Sequence, residues 1–306
     1  MSQRSIFVTG ATGNQGQGVV RHCLTATSFV VYAMVRDPFS PESQSLKSSG
    51  AIIVRGNLDD ETSLLSAFQE TRPTALFINT PPGPGSQLLS RARNLISAAQ
   101  ATPSIKSVVH SKSAGVGRHT SFPGWGPELP SYDYWVAKDE IENLVRGAGF
   151  ENWTIVRLAT FLQLFVPPLS NHLFPELWSG PGGKRVLRTA LKPKTKIDLV
   201  NGSDVGAVVA KVLSSPEAYR ERVVDLAVEA LTASELAEKI NKSKSEPVEV
   251  VYEEEDELAK KLGPGGERLV AAQKMFNVLG CYIDVEKNRQ EFRMTGVEEF
   301  FTKAQG

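Results

Sequence analysis

The sequence predicts a doubly wound α/β protein, in which helices cover both faces of a parallel sheet, followed by a smaller and mostly helical C-terminal lobe. Short runs of apolar and β-branched residues alternate with segments of helical length as far as about residue 157. This alternation is the pattern of a parallel sheet with helical crossovers. A cluster of glycines also follows the first apolar run, at a turn from strand to helix. The 306 residues are enough for such a domain and a second lobe.

The individual elements follow from apolar spacing and from turn residues. Strands are predicted at residues 5–8, 30–35, 51–54, 75–80, 107–111, 154–157 and 222–228. Helices are predicted from residue 19 and at 60–70, 87–101, 132–145, 205–214, 254–262, 265–279 and 296–304. Thr232 and Glu235 form a capping box that opens one more helix. We therefore assign residues 1–157 and about 194–230 to the sheet domain, and about 158–193 and 231–306 to a substrate lobe.

The glycine-rich turn predicts a binding site for a dinucleotide. Glycine permits positive φ and a close approach of the backbone, and the following helix presents free N–H groups to an anion. The pyrophosphate of a dinucleotide fits such a turn, and a glycine turn without a ligand is the alternative. The predicted contacts come from the whole turn: Gly10, Ala11, Thr12, Gly13, Asn14, Gln15 and Gly16.

Other candidate contacts follow the strands, because ligands of doubly wound sheets lie at the carboxyl ends of the strands. Arg36 follows the second strand, where an arginine accommodates the 2′-phosphate of NADP, and Asp37 next to it leaves NAD open. We expect NADP(H). Two pairs follow the next strands and are expected either to contact adenine and ribose or to complete turns: Asn57 with Leu58, and Asn79 with Thr80.

A tyrosine and a lysine on one predicted helix form the candidate chemical centre. Tyr134 and Lys138 are four residues apart and therefore share a helical face. A phenol has an ordinary pKa of about 10, and a neighbouring ammonium is expected to lower it. Tyr134 would then protonate a carbonyl oxygen or deprotonate an alcohol. The same spacing also suits an amphipathic helix with a packed tyrosine and a solvated lysine.

Four segments of the chain resemble the NmrA-like family of atypical short-chain dehydrogenases/reductases: residues 10–16, 35–38, 56–60 and 156–161. The resemblance covers roughly residues 4–230. It implies a Rossmann domain that binds NADP(H), with Tyr134 as catalytic acid/base and Lys138 holding the nicotinamide ribose and lowering the tyrosine pKa. It also implies a serine on the substrate oxygen, with Ser113 aligning best and Ser111 as the alternate. The implied neighbours of the nicotinamide are Ala159, Thr160 and Phe161.

The resemblance implies more than one class of function. The family includes redox-sensing regulators that bind the dinucleotide without turnover, and many of those lack the tyrosine that this chain retains. Its reductases of phenylpropanoid-type compounds often rely on a lysine instead. We expect a reductase of a small, mostly apolar or aromatic carbonyl compound or enone, with a sensor or an isomerase, cyclase or dehydratase as alternatives. The apolar run after residue 160 supplies the candidate substrate contacts Phe161, Phe165 and Trp178.

Composition argues against several other classes of function. Lys+Arg and Asp+Glu both number 34, so no global field attracts nucleic acid or an anionic membrane. No apolar run reaches the ~18 residues of a membrane span. The cysteines and histidines have no ligand spacing, and the acidic run at 253–257 reads as a solvated helix start, so we expect no metal. We expect a cytoplasmic protein with a small-molecule substrate and with Cys23 and Cys281 buried as apolar residues.

Overall fold

A computed structural model describes residues 4–26, 29–242 and 247–303. The strands are β1 (Ser5–Val8), β2 (Val30–Val35), β3 (Ile52–Arg55), β4 (Ala75–Ile78), β5 (Ser107–Ser113), β6 (Asn152–Leu158), β7 (Thr160–Phe161), β8 (Arg185–Thr189), β9 (Ile197–Val200), β10 (Arg222–Leu226), β11 (Glu229–Leu231) and β12 (Val248–Tyr252). The α-helices are α1 (Asn14–Ala26), α2 (Pro41–Ser48), α3 (Glu61–Thr71), α4 (Gly85–Gln100), α5 (Tyr132–Gly147), α6 (Ser170–Leu173), α7 (Glu176–Ser179), α8 (Val205–Ser214), α9 (Ala233–Asn241), α10 (Glu255–Leu262), α11 (Gly266–Leu279), α12 (Val285–Glu291) and α13 (Val297–Lys303). Residue 304, the predicted end of the last helix, lies outside the described residues.

Seven strands form the main sheet in the order β10-β6-β5-β4-β1-β2-β3. The neighbouring pairs from β3 to β5 all run parallel. Strand order reverses between β1 and β4, and ligands of doubly wound sheets bind at such a reversal, outside the carboxyl ends of the strands. The predicted doubly wound α/β fold is therefore confirmed.

The main sheet belongs to a compact unit that falls within residues 1–116, 133–157 and 203–225. Its central strands read as continuous apolar runs because helices cover both faces, and every residue of β1 and β4 is buried. Phe7 on β1 meets Phe68 on α3 edge to face, with ring centroids 4.8 Å apart. Burial of one such side chain contributes about 1.5–3 kcal/mol. This core fixes the strand ends on which the candidate site stands.

The second compact unit falls within residues 117–132, 158–202 and 226–306. Two small sheets, β11-β9-β7 and β12-β8, accompany its helices, and none of these five strands was predicted. The capping box is present: the Thr232 hydroxyl oxygen accepts the Glu235 N–H at 3.2 Å, and the Glu235 carboxylate accepts the Thr232 N–H at 2.8 Å. In the described part of the chain, no helix is long and apolar enough to cross a membrane.

Two expectations for the second unit are wrong. Glu253 was expected to be solvated, but its side chain is 6% exposed and lies 2.6 Å from Arg188 and 2.7 Å from Lys261. Although burial acts to raise the pKa of Glu253, hydrogen bonds from these two cations lower it. The Arg188 partner stands 65 residues away along the chain, so spacing alone did not indicate it. Cys281 is exposed, whereas Cys23 is buried as expected.

Candidate active site

The turn between β1 and α1 has the backbone geometry that its glycines permit. Gly10 has a φ of +63°, in the left-handed region that favours glycine. A Cβ on Gly16 would lie 2.1 Å from the Gly10 carbonyl oxygen, so no side chain fits there. The N–H of Gly13 donates to the same oxygen at 3.1 Å and closes the turn. Asn14 then begins α1, whose first N–H groups have no acceptor within the helix and are able to hold a phosphate.

The predicted turn residues divide into an exposed and a buried set. Thr12, Gly13 and Asn14 are exposed, whereas Ala11 and Gly16 are buried and pack the turn against the sheet. Gln15 is half-buried, and its side-chain oxygen accepts a hydrogen bond from the Ser111 hydroxyl. The exposed set is therefore the part of the turn that a phosphate would contact.

Arg36 is exposed at the end of β2, next to two carboxylates that already have partners. Asp37 accepts the backbone N–H of Phe39 at 2.9 Å, which closes a local turn. Asp59 pairs with Arg91 through two hydrogen bonds of 2.8 and 2.9 Å. The Arg91 hydrogen bonds are the main cause of a lowered pKa at Asp59, and the charge of Arg36 adds to it. Arg36 is therefore the side chain at this strand end that suits a ribose 2′-phosphate.

Asn57 and Leu58 follow β3 and serve the local structure. The Asn57 side-chain oxygen accepts the N–H of Asp59 at 3.1 Å, so this side chain completes a turn. Leu58 is 6% exposed and belongs to the core of the first unit. Of the two outcomes expected for Asn57, the structure supports the turn.

Asn79 and Thr80 stand at the reversal of strand order. The N–H of Asn79 donates to the Thr9 hydroxyl oxygen at 2.9 Å, and that hydroxyl lies 3.0 Å from the Phe77 carbonyl oxygen. Thr9 thus joins the ends of β1 and β4, a role that its place before Gly10 did not reveal. Thr80 is 4% exposed, and its hydroxyl oxygen has no hydrogen-bond partner among the described residues. Since buried hydroxyls are usually paired, this orphan group is suited to a polar group of a ligand.

Strand β5 and helix α5 bring the predicted serine and tyrosine together. The Ser113 and Tyr134 hydroxyl oxygens lie 2.5 Å apart, and either group is able to donate. Ser111 instead donates to Gln15 in the glycine turn. The structure therefore places Ser113 at the tyrosine and Ser111 at the glycine turn.

Lys138 shares a face of α5 with Tyr134, as predicted, but its effect on the phenol differs from the expectation. Its nitrogen lies 5.5 Å from the centroid of the Tyr134 ring, over the ring face. Burial raises the pKa of Tyr134, and the hydrogen bond with Ser113 opposes that rise. Burial also lowers the pKa of Lys138 to about 8. The expected lowering of the tyrosine pKa is wrong for this structure, because burial raises that pKa and the group that opposes the rise is Ser113.

Sequence reasoning missed a buried cluster of charges behind this pair. The Lys112 ammonium donates to Glu142 at 2.5 Å and to the carbonyl oxygen of Lys138 at 2.9 Å. Arg146 and Arg157 bind the same carboxylate at 2.6 and 2.8 Å. Although burial acts to raise the pKa of Glu142, hydrogen bonds from Arg157, Lys112 and Arg146 hold it at about 2. A lysine inside the buried strand at 107–113 was the available signal.

The remaining predicted contacts lie in the second unit. Ala159, Thr160 and Phe161 are half-buried at β7. Phe165 is 4% exposed and stacks on Phe174 with ring centroids 4.8 Å apart, which is the position of a core residue. Trp178 donates its ring N–H to the Phe165 carbonyl at 2.8 Å. Burial thus gives Phe165 a packing role rather than a surface for a substrate.

The chain is similar to known proteins. A model of the NmrA-like family matches residues 2–301. The NmrA-like family domain-containing oxidoreductase himF of Aspergillus japonicus is 31% identical over 175 residues, which span 55% of this chain and only half, 50%, of that relative. Among solved structures, NmrA, a negative transcriptional regulator in complex with NADP, has a TM-score of 0.78 at 19% identity, over 100% of this chain and 98% of its own. The NADPH-dependent quinone oxidoreductase QOR2 of Escherichia coli, complexed with NADPH, has a TM-score of 0.76 at 22% identity, over 99% of this chain and 100% of its own. At these identities, the two structures bear on the fold alone.

Proposed function

This chain belongs to the NmrA-like family, and we propose that it uses NADPH to reduce a small, mostly apolar or aromatic carbonyl compound or enone. The observation that carries the proposal is the contact of 2.5 Å between the hydroxyls of Ser113 and Tyr134, with Lys138 over the tyrosine ring. Such a group is able to donate a proton to an oxygen that gains negative charge. Several relatives are named oxidoreductases, which supports the same class of reaction.

The residues of the first unit fit a phosphorylated dinucleotide. The turn from Gly10 to Gly16 would hold the pyrophosphate at the N-terminus of α1. Arg36 would bind the 2′-phosphate. Asp37, the acidic residue that would instead bind the free ribose 2′-hydroxyl of NADH, is hydrogen-bonded to the Phe39 N–H. The unpaired Thr80 hydroxyl would gain a partner from a ligand at the reversal of strand order. NADPH is therefore favoured over NADH.

The protein's own contribution to the reaction is proton transfer and orientation. NADPH, when bound, supplies the hydride to the substrate carbon. The Tyr134 phenol has an ordinary pKa of about 10, which burial raises, so it keeps its proton at neutral pH and has that proton to donate. The substrate oxygen becomes strongly basic as the hydride arrives and takes that proton. Ser113 then donates to the tyrosine oxygen, and the Lys138 cation adds a favourable field to the phenolate.

The proposal is tested by two measurements on the purified protein. Fluorescence titration gives the affinities for NADPH and NADH, and NADPH oxidation is then followed with a panel of ketones and enones. We expect Tyr134→Phe to keep its affinity for NADPH and to lose about 10²–10⁴ in turnover, the usual contribution of a general acid. Tyr132→Phe is the matched control, because Tyr132 starts the same helix but its ring lies tilted against that of Trp125, with ring centroids 4.7 Å apart.

Two results would contradict the proposal in different ways. Absence of dinucleotide binding would contradict the assignment of the glycine turn as the binding site of a pyrophosphate. Tight NADPH binding without turnover of any panel member would favour a regulator, as NmrA is described. Equal losses in Tyr134→Phe and Tyr132→Phe would mean that the tyrosine acts through the fold rather than through its proton.

A further inference from the structure

We infer that Lys112 is a positioning residue, whose ammonium, anchored by Glu142, holds α5 at the Lys138 carbonyl and so sets where Tyr134 stands relative to Ser113. The inference rests on the proposed function for its effect on turnover. Its structural part concerns only contacts within the first unit.

Three consecutive residues of β5 make contacts that converge on the candidate site. Ser111 donates to Gln15 in the glycine turn, and Ser113 lies 2.5 Å from the Tyr134 hydroxyl. Between them, Lys112 donates to the Lys138 carbonyl oxygen at 2.9 Å. That oxygen lies in the interior of α5, four residues after Tyr134, so one side chain of the strand is bonded directly to the backbone of the helix that carries the tyrosine and the lysine.

Stability alone is a weak explanation for this arrangement. The Lys112 and Glu142 side chains are 0% and 4% exposed, and both lose hydration when the protein folds. Buried ion pairs of this kind often add no net stability compared with apolar residues of similar size. What the pair does provide is a fixed geometry, because a fully buried ammonium that donates two hydrogen bonds to α5 ties this helix to β5. Tyr134 and Ser113 meet only if that register is kept.

The arginines of the cluster do not share this contact. Arg146 lies on α5 itself, and Arg157 comes from β6; the bonds described for both run to the Glu142 carboxylate. If Lys112 is removed, Arg157 still donates to both oxygens of Glu142, at 3.1 and 2.8 Å. A change at Lys112 therefore breaks the bond to the helix backbone without leaving Glu142 unpaired, which makes Lys112→Met the informative variant.

The matched control is Arg146→Met, which removes another cation from the same carboxylate and leaves the Lys112 bond to Lys138 in place. Each protein is labelled with 3-fluorotyrosine, and the ¹⁹F resonance of Tyr134 is identified among the six tyrosines by its loss in Tyr134→Phe. We expect this resonance to shift or broaden in Lys112→Met and to keep its position and width in Arg146→Met. We also expect kcat to fall about 10- to 100-fold in Lys112→Met only, with Kd for NADPH retained, since small errors of position have effects of this size.

An unchanged Tyr134 resonance in Lys112→Met, or equal changes in both variants, would overturn the inference. If Lys112→Met does not fold, Lys112→Gln takes its place with the same expected result, because the shorter amide is polar but does not reach both partners. The ¹⁹F signal decides the positioning role even if the wild-type protein reduces no substrate. In that case the proposed function is contradicted, and the ¹⁹F spectrum still tests the positioning role of Lys112.

Discussion

The hydroxyl oxygens of Ser113 and Tyr134 lie 2.5 Å apart, one at the end of β5 and the other in the first turn of α5. Each hydroxyl has a proton to donate and lone pairs to accept, so the bond is able to reverse its direction when the tyrosine loses its proton. This contact opposes the rise in the tyrosine pKa that burial causes. A serine so placed stabilises the phenolate at the moment of proton transfer.

Ser113→Ala is expected to slow turnover by about 10²-fold, the usual loss when one donor to a developing negative charge is removed. The pKa of Tyr134 should rise further, because the opposing hydrogen bond is gone. Ser111→Ala is the control, since Ser111 bonds Gln15 and not the tyrosine. Steady-state kinetics on both variants check the assignment, and a larger loss of kcat in Ser111→Ala would reverse the roles of the two serines.

Arg36→Ala is expected to weaken NADPH binding by about 10- to 100-fold, because a hydrogen bond to a charged group contributes about 1.5–3 kcal/mol. Affinity for NADH should change little. Asp37→Asn serves as control: the amide oxygen is able to accept the Phe39 N–H in the same way, so both affinities should be retained. Fluorescence titration measures them. Loss of NADH binding in Asp37→Asn would instead place Asp37 on the ribose.

Thr80→Val is expected to stabilise the protein without cofactor and to weaken its binding of NADPH. The Thr80 hydroxyl is buried and lacks a hydrogen-bond partner among the described residues, and an unsatisfied buried group costs about 1–3 kcal/mol. Valine has nearly the same shape and removes that cost. Thermal unfolding with and without NADPH gives both effects. A fall in Tm without cofactor would show that the hydroxyl already has a partner.

The alkaline side of the pH profile should report Lys138. Burial lowers the pKa of Lys138 to about 8, so its charge is lost as the pH rises through that value. We expect kcat/KM, which reports groups of the free enzyme, to fall above about pH 8. Burial gives Lys112 a pKa of about 8 as well, so the profile of Lys112→Met separates the two. If the inflection disappears in that variant, Lys112 and not Lys138 is its source.

The acid side should show the cost of protonating Glu142. Its pKa is about 2 in the folded protein against an ordinary 4.5, so the folded state binds this proton less readily than the unfolded chain. The stability that the ionised Glu142 contributes is complete above about pH 4.5 and is lost as the pH falls toward about 2. Glu142→Gln should therefore have a lower free energy of unfolding at neutral pH and a weaker dependence on pH in this interval. Denaturant unfolding at several pH values measures it, and parallel curves for the two proteins would contradict the assignment.

The local sequence pattern was sufficient to predict most of the strands and helices of the first unit. The alternation of apolar runs and helical segments predicted the sheet, since its central strands are covered on both faces and need no partner information to be recognised. Helix α2 was missed although Ser40 before Pro41 is a start signal, and the Ser40 hydroxyl does accept the Ser43 N–H at 3.2 Å. The small sheets of the second unit were missed because each strand there is short and pairs with a distant segment, as β8 does with β12.

By itself, the sequence determined the doubly wound architecture, the glycine turn after the first strand, and the tyrosine and lysine one helical turn apart, because these depend on periods and spacings of a few residues. Only the tertiary structure decided which serine meets Tyr134, 21 residues away, and which lysine meets Glu142, 30 residues away. It also decided that the pKa of Tyr134 rises, because removal from water depends on everything packed around the phenol and not on its neighbours in the chain.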